Sequence, residues 1–514
     1  MHKQIITIIL LHFALLSNAQ YSYDILYETP SNEIAWFVYH DEINNEQIVL
    51  LTVDCVENDT NCVSQRLIYT ITNTGDTIRW PFIDRRNDTL FSIQNLLRES
   101  NGDFFMTGNG WTLDSTGWPI DAFDYNTKWN SSLELIWENI HQRPEQFDGN
   151  SSSYNSKILK LIDGNYLIGK TIWSGSYFLP YNYLIEVNPT NGAVVKERTP
   201  PIVGVLQSLT YTIDTSEIMM HMGSTYMREC DRNDVGVIML DTATYDTIRG
   251  YCYNRESDNP EKSHCVDTPY DAMIRKDGHL MLAGTADCYN KIEGDLSEEY
   301  LFIYEYDTGF QLLNSTFLTD KDTITYGGWY ETMSINDDNE ICLAGAFDLG
   351  FGPWNPHHDW IYFAKVDENL TLISERYMGG DATYEVFSMA STPDGGMVVC
   401  GSRYDTLVND YEHDAFVIKT DGGLWVGQNN YNEIPVHSAL VYPNPGNNEM
   451  TIRTTEYPSI FELYNAQGKR MLLKQIEKHI TAVSTASLLP GFYTWILRKN
   501  NQKIDNGKWI KITP

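Results

Sequence analysis

Six times in this chain a polar turn leads into an apolar run that ends in glycine. The runs are Asn101-Gly102 to Gly108, Asp163-Gly164 to Gly169, Asp214-Thr215 to Gly223, Asp277-Gly278 to Gly284, Asp337-Asp338 to Gly345 and Asp394-Gly395 to Gly401. The closing glycines fall 54 to 61 residues apart. After each run comes a variable polar and aromatic loop, then an alternating strand, a turn and another strand. The clearest copy is Asp414 to Trp425, with counterparts at Asp359 to Ile373, Leu301 to Leu313, Asp234 to Ile248, Leu184 to Val195 and Asp121 to Trp137. A more divergent first unit combines Ile48 to Val53 with Leu67 to Trp80. A lone four-stranded sheet cannot bury both faces, whereas seven packed face to face around an axis can, and closure removes exposed edges. Seven units of four short strands, with no long helical pattern, therefore predict an all-β chain whose body is a seven-bladed β-propeller. The glycines are expected at the ends of the second strands, where neighbouring backbones come close.

Charge marks a boundary. The chain carries 36 Lys and Arg against 69 Asp and Glu, a net of −33. The excess acid belongs to the body, because basic residues outnumber acidic ones from Val436 onward. A body of this sign repels phosphate backbones and anionic bilayers, so nucleic acid and membrane surfaces are not expected partners. At the N-terminus, Met1 to Gln4 is a short positive region and Ile5 to Leu16 an apolar run. Ser17-Asn18-Ala19 then offers the small residues of a signal-peptidase site, so residues 1–19 are read as a signal peptide. No other stretch reaches the roughly 20 apolar residues of a membrane-spanning helix, and no transmembrane segment is expected in the mature protein. The expected domains are the propeller at 20–430, a linker at 431–439 around Pro435, and a small β-sandwich at 440–514, whose apolar-alternating runs are broken by Gly, Asn and Pro turns. Export brings an oxidising environment, so Cys55 with Cys62, and Cys230, Cys252, Cys265 and Cys288 among themselves, are disulfide candidates. Cys342 and Cys400 sit in apolar runs and are expected as buried thiols.

The tail carries three ordered blocks. These are Val441-Tyr442-Pro443-Asn444-Pro445, Phe461 to Lys469 with a turn at Gln467-Gly468, and Leu489-Pro490-Gly491-Phe492-Tyr493, followed by a basic close at Lys508 to Lys511. This arrangement resembles the type A C-terminal sorting domain of the type IX secretion pathway of Bacteroidota. The resemblance implies recognition by an outer-membrane translocon, with Tyr442, Pro443, Asn444, Pro445, Gly468, Pro490 and Gly491 as signal residues. It also implies passage through the periplasm, removal of the tail, and release or attachment at the cell surface. The phrase Asp414 to Gly423 is similar to repeats of bacterial secreted seven-bladed propellers.

Loops after the second strands should share one face, and they are aromatic, with Trp111, Trp173 and Trp354 prominent among acids and amides. Rings in such company stack on sugars, or else pin long loops to the scaffold. Just before the expected first strands, Tyr270-Asp271, Tyr330-Glu331 and Tyr384-Glu385 repeat, with Tyr154-Asn155 as a fourth pair. They are candidates to ring the mouth of the axial channel, or to pack between blades. No nucleophile elbow, zinc helix or phosphate loop occurs, and adjacent His357 and His358 would point to opposite faces of a strand. No catalytic residue, metal or cofactor is therefore assigned. Three readings remain: a propeller that binds an extracellular glycan or protein without chemistry, a secreted polysaccharide hydrolase or lyase, and a structural or adhesive surface component. The second requires two carboxylates about 5 to 10 Å apart at the channel mouth.

Overall fold

The computed structural model describes residues 22–512 other than 28–31, 42–44, 55–64, 73–74, 83–84, 87–88, 114–118, 144–151, 174–179, 202, 226–233, 254–261, 291–295, 319–324, 329, 348–358, 405–412, 427–438, 443–445, 455–456, 466–467, 479 and 500–501. They fall into two compact units, within residues 1–428 and 429–514. Every regular element among them is a strand, and no helix is long and apolar enough to cross a membrane.

The first unit contains seven antiparallel sheets in chain order, each running from an inner first strand to an outer fourth, with a two-residue strand, Arg85–Arg86, added beside the first strand of the second sheet. Blade 1 is Asn32–Asp41, Glu46–Asp54, Gln65–Ile71 and Thr77–Phe82. Blade 2 begins at Thr89–Arg98, blade 3 at Ser152–Lys160, blade 4 at Val205–Tyr211 and blade 5 at Lys262–Ile274. Blade 6 begins with two short pieces, Thr325–Gly327 and Met333–Ile335, and blade 7 with Thr383–Ser391. The sequence of blade 7 supplies only three strands. Its outer strand is Tyr23–Tyr27, from the other end of the unit, paired antiparallel with Asp414–Lys419. This closing strand has no counterpart in the repeats, and the repeat reading did not include it.

Hydrophobic packing shows the closure directly. Seven buried clusters each join two successive blades. Phe105 with Tyr166, for example, joins blades 2 and 3, and Leu343 with Leu301 joins blades 5 and 6. The seventh joins Val49 and Leu51 of blade 1 to Val398 and Val417 of blade 7, which completes the ring. The body is a seven-bladed β-propeller.

The turns put some of the acid residues to use. At or just after the end of the third strand a carboxylate or amide accepts backbone N–H bonds from residues two to four further on, at Asn130, Asn188, Asp241, Asp307, Asp367 and Asp421. Three or four residues after five of these caps stands a bulky residue with positive φ: Leu133, Tyr245, Phe310, Leu370 and Leu424. This backbone region is unfavourable for such side chains. Each is tolerated because its side chain plugs an inter-blade cluster. In blade 3 the position is Gly192, and Trp137 of blade 2 lies where its side chain would be.

The repeat glycines do not end their strands. Gly108 lies inside Phe104–Leu113 and Gly401 inside Met397–Tyr404. In blades 2, 5, 6 and 7 the glycine faces the residue at which the first strand's ladder breaks: Ile93, Pro269, Gly327 and Val386. Their role is close approach within a blade. A Cβ on Gly401 would stand 2.0 Å from the carbonyl oxygen of Glu385.

The second unit is a two-sheet sandwich. One sheet is Ala439–Tyr442, Glu449–Thr454 and Ile480–Ser484; the other is Ser459–Asn465, Arg470–Ile476, Gly491–Lys499 and Gln502–Lys511. Phe461, Leu463, Trp495 and Trp509 fill its core. Gly468 takes φ 73° at the turn between two strands, as Gln467-Gly468 suggested. By contrast Leu489 and Phe492, flanking Pro490 and Gly491, are 77% and 67% exposed. Pro443, Asn444 and Pro445 and the side chain of Tyr442 lie outside the described residues.

Candidate axial site

First strands line the axis, and nearly all of them are irregular. A register break sits after Ala35, Ile93, Ser153, Leu206, Pro269 and Val386, so that Trp36, Gln94, Tyr154, Gln207, Tyr270 and Phe387 are extra residues. Bulges bend the strand and re-aim the side chains that follow. In blade 6 the break widens, because Gly328 to Thr332 intervene between the two paired pieces. Tyr330 and Glu331 therefore sit on a short excursion. Its amides are anchored by the carbonyl of the bulge residue Phe387, at 2.9 Å to Tyr330 and 3.3 Å to Glu331. The Tyr330 ring joins Phe387 and Trp36, with centroids 6.1 and 6.0 Å away.

All seven blades contribute to a partly open cavity of about 320 Å³, lined by Phe37–Tyr39, Asn95–Leu97, Lys157, Ile158, Ser208, Leu209, Asp271–Met273, Glu331, Met333, Ser334, Met389 and Ala390. Its walls are mainly apolar and its charged groups are three. Lys157, buried, donates from Nζ to the Tyr330 carbonyl at 2.9 Å. Asp271, also buried, accepts from the Ala272 amide at 2.8 Å and from the Thr332 and Met333 amides at 3.3 and 3.2 Å. It thus replaces the ladder partners that the blade 6 excursion gives up. Glu331 accepts from the hydroxyl of fully buried Ser388 at 3.0 Å. Burial pushes the Asp271 carboxyl up to about 6, against the pull of Lys157 and the three amides. Burial likewise pushes Glu331 up to about 7, with Lys157 and Ser388 opposing and Asp271 adding to the rise.

Of the residues singled out in the repeats, Asp271 and Glu331 line the same cavity, whereas Tyr270 and Tyr330 are not among its lining residues. A Cβ on Gly327 would stand 2.8 Å from the Tyr270 ring, which shows how tightly blade 5 presses on blade 6 there. Tyr384 and Glu385 are not equivalent to the other pairs. The blade 7 break comes three residues later, at Phe387-Ser388, and Tyr384 instead bonds Asp381 at 2.9 Å beside Gly379. Trp111 is half-buried in a second strand, away from the cavity lining. Trp173 closes a second strand, with its side chain outside the described residues; Trp354, His357 and His358 lie wholly outside them. Cys55, Cys62 and Cys230 also fall outside, while the backbones of Cys265 and Cys288 are direct cross-strand partners. Cys342 and Cys400 are buried free thiols. Sequence reading missed Lys157 and Ser388. Their signal was a polar residue at or near a bulge, visible only once the breaks are known.

Two other clusters are already satisfied. Asp277, His279 and Glu305 bring ligand atoms within 4.8 Å of one another, but the Arg275 guanidinium bonds both carboxylates, at 2.6 and 2.5 Å. Ser402 meets His413 Nδ1 at 2.7 Å, yet Ser402 is fully buried.

Residues 440–511 match the family described as the secretion system C-terminal sorting domain. The tail is a type IX secretion sorting domain. The chain is therefore exported, to the medium or the cell surface. No curated protein matches it in sequence. Among solved structures it is similar to PorZ, titled an essential bacterial surface component of the type-IX secretion system of Porphyromonas gingivalis. That likeness has 10% identity and a TM-score of 0.29, over 91% of this chain and 74% of that one. It is also similar to the β-propeller domain of the trilobed protease from Pyrococcus furiosus, at 10% identity and TM-score 0.34 over 76% and 96% of the two chains. Polysaccharide lyase Uly1 matches at 8% identity and TM-score 0.45, over 78% and 100%.

Proposed function

We propose that the type IX translocon delivers this propeller to the cell exterior, where it binds an extracellular glycan or protein without catalysis and seats part of that ligand in the axial cavity. One observation carries the reading. A partly open, mostly apolar hollow of about 320 Å³ on the axis is lined by three charged groups, which is the make-up of a ligand site rather than of a filled core. The body's acidity points away from nucleic acid. Binding of the full exported chain to glycan and peptide arrays tests the reading, with Lys157→Met and Glu331→Gln as site variants. Retention of every binding signal by both variants would place the ligand elsewhere.

The pairing of Asp271 with Glu331 also favours a second reading, a secreted polysaccharide hydrolase or lyase, because two carboxylates of unequal environment face one cavity. Release of reducing or unsaturated ends from a polysaccharide panel, lost in Glu331→Gln, would favour it over simple binding.

A further inference from the structure

We infer that the axial cavity is selective for a neutral polyhydroxylated ligand, a terminal sugar residue, with one hydroxyl held between Lys157 Nζ and Glu331. This rests on the reading of the cavity as the ligand seat and narrows it to a chemical class.

What a ligand can bond is the hydrogen-bonding capacity left after the protein has satisfied itself. Asp271 is consumed: its two oxygens take three backbone amides, and it serves the fold of blade 6. Asn95 is also consumed, donating to the Ser156 carbonyl at 2.8 Å and accepting from the Leu96 amide at 2.7 Å. Lys157 brings three donors on an ammonium that is all but removed from bulk water, and its bond to the Tyr330 carbonyl uses one. Glu331 lines the cavity and has one oxygen on the Ser388 hydroxyl, which leaves its second oxygen as an acceptor. The charged capacity left at the centre is thus ammonium donors and a carboxyl oxygen. A hydroxyl complements both, since it accepts from the first while donating to the second.

Charge decides among the ligands that could make those bonds. An anionic ligand gains Lys157 but must sit beside Asp271 and Glu331. An amine gains Glu331 but must sit beside Lys157. Beside side chains as buried as Lys157 and Asp271 either like-charge contact is costly, and a neutral hydroxyl avoids both. The remaining walls, among them Leu96, Leu209, Met333 and Met389, suit the apolar C–H face of a sugar ring. The volume fits one residue of a chain, not a length of it.

The test is calorimetry and thermal shift on the full exported chain with methyl glucoside, methyl mannoside and methyl galactoside, against glucuronate and glucosamine. At least one neutral glycoside should bind more tightly than both charged sugars. Its affinity should fall about tenfold or more in Glu331→Gln and in Lys157→Met, the loss of one charge-assisted hydrogen bond. Lys157→Arg guards against misfolding: it keeps the charge and should remain folded, yet weaken binding through its planar, longer head. Tighter binding of glucuronate or glucosamine overturns the sugar-class inference while leaving the axial seat intact. Equal binding by all three variants overturns the axial seat itself. Binding by no sugar, together with array binding to peptides that the variants abolish, keeps the seat and rejects the sugar.

Discussion

Glu331→Gln should make the propeller more stable, and only above a definite pH. In the fold the Glu331 carboxyl is pushed from its ordinary 4.5 up to about 7 by burial, so the folded state keeps a proton that the unfolded chain releases. Below about pH 4 both states are protonated and no penalty exists. Between pH 4.5 and 7 unfolding releases the proton, so this group lowers stability progressively as pH rises, and the full loss is present by pH 8. The gap between 4.5 and about 7, at 1.36 kcal/mol per pH unit, is about 3 kcal/mol. Gln mimics the protonated acid, can still accept from Ser388, and carries no such penalty. With an unfolding entropy of about 2.1 cal/mol/K per residue over roughly 400 residues, 3 kcal/mol moves Tm by about 4 °C. Differential scanning calorimetry of wild type and variant should therefore show curves that coincide at pH 4 and separate by about 4 °C at pH 8, the variant higher. Relief of the neighbouring Asp271 works in the same direction. A variant destabilised at pH 8 would refute the reasoning. It would mean that Lys157 holds Glu331 ionised and that the pair contributes net stability.

Gly401→Ala should destabilise by about 3 kcal/mol, at the upper end of overpacking effects, because the obstacle at 2.0 Å is the Glu385 backbone and cannot rotate away. Gly169→Ala is the control: its added methyl meets the movable end of Leu206, and chemical denaturation should show a loss of about 1 kcal/mol. At Leu370, Ala keeps the strained positive φ and loses the buried side chain, at about 2 to 5 kcal/mol, while Gly loses the side chain but relieves about 1 kcal/mol of backbone strain. The expected stability order is Leu, Gly, Ala; Ala above Gly contradicts the backbone-strain argument, and Leu no more stable than Gly contradicts the plug role. The facing backbones of Cys265 and Cys288 lead us to expect a disulfide, seen as one cross-linked peptide in a non-reducing digest of exported protein. Replacing exposed Leu489 and Phe492 by Ser should leave the tail folded by circular dichroism yet reduce export, as measured in culture medium and surface fractions. Undiminished export removes that pair from translocon recognition.

Most of the propeller was legible because its repeats obey local rules. The carboxylate and amide caps at Asp367 and Asp421, and the alternating strands after each loop, are written in short stretches that recur at regular intervals. The bulky residue that follows each cap was legible in principle, as in Asp421-Gly422-Gly423-Leu424, but its meaning depends on a hole between two blades that no single repeat contains. Tyr23–Tyr27 was not legible at all. A closing strand belongs by packing to blade 7 and by sequence to the opposite end of the unit, so it has no partner phrase to be compared with.

The axial site shows the same division more sharply. Asp271 and Glu331 were singled out because both follow a tyrosine, but that shared phrase does not fix the register: Tyr384 stands three residues before the bulge residue Phe387. What places a side chain at the axis is its distance from the register break in its own blade. Ser388 meets this condition immediately after Phe387, and Lys157 meets it three residues after Tyr154. Lys157 lies in a first strand and Glu331 on the blade 6 excursion, and they share no local pattern; the bond from Lys157 Nζ to the Tyr330 carbonyl spans 173 residues. Chemistry at the centre of a ring is assembled from single residues contributed once per turn of the repeat. A motif search along the chain cannot see it, while the position of the bulge in each first strand can.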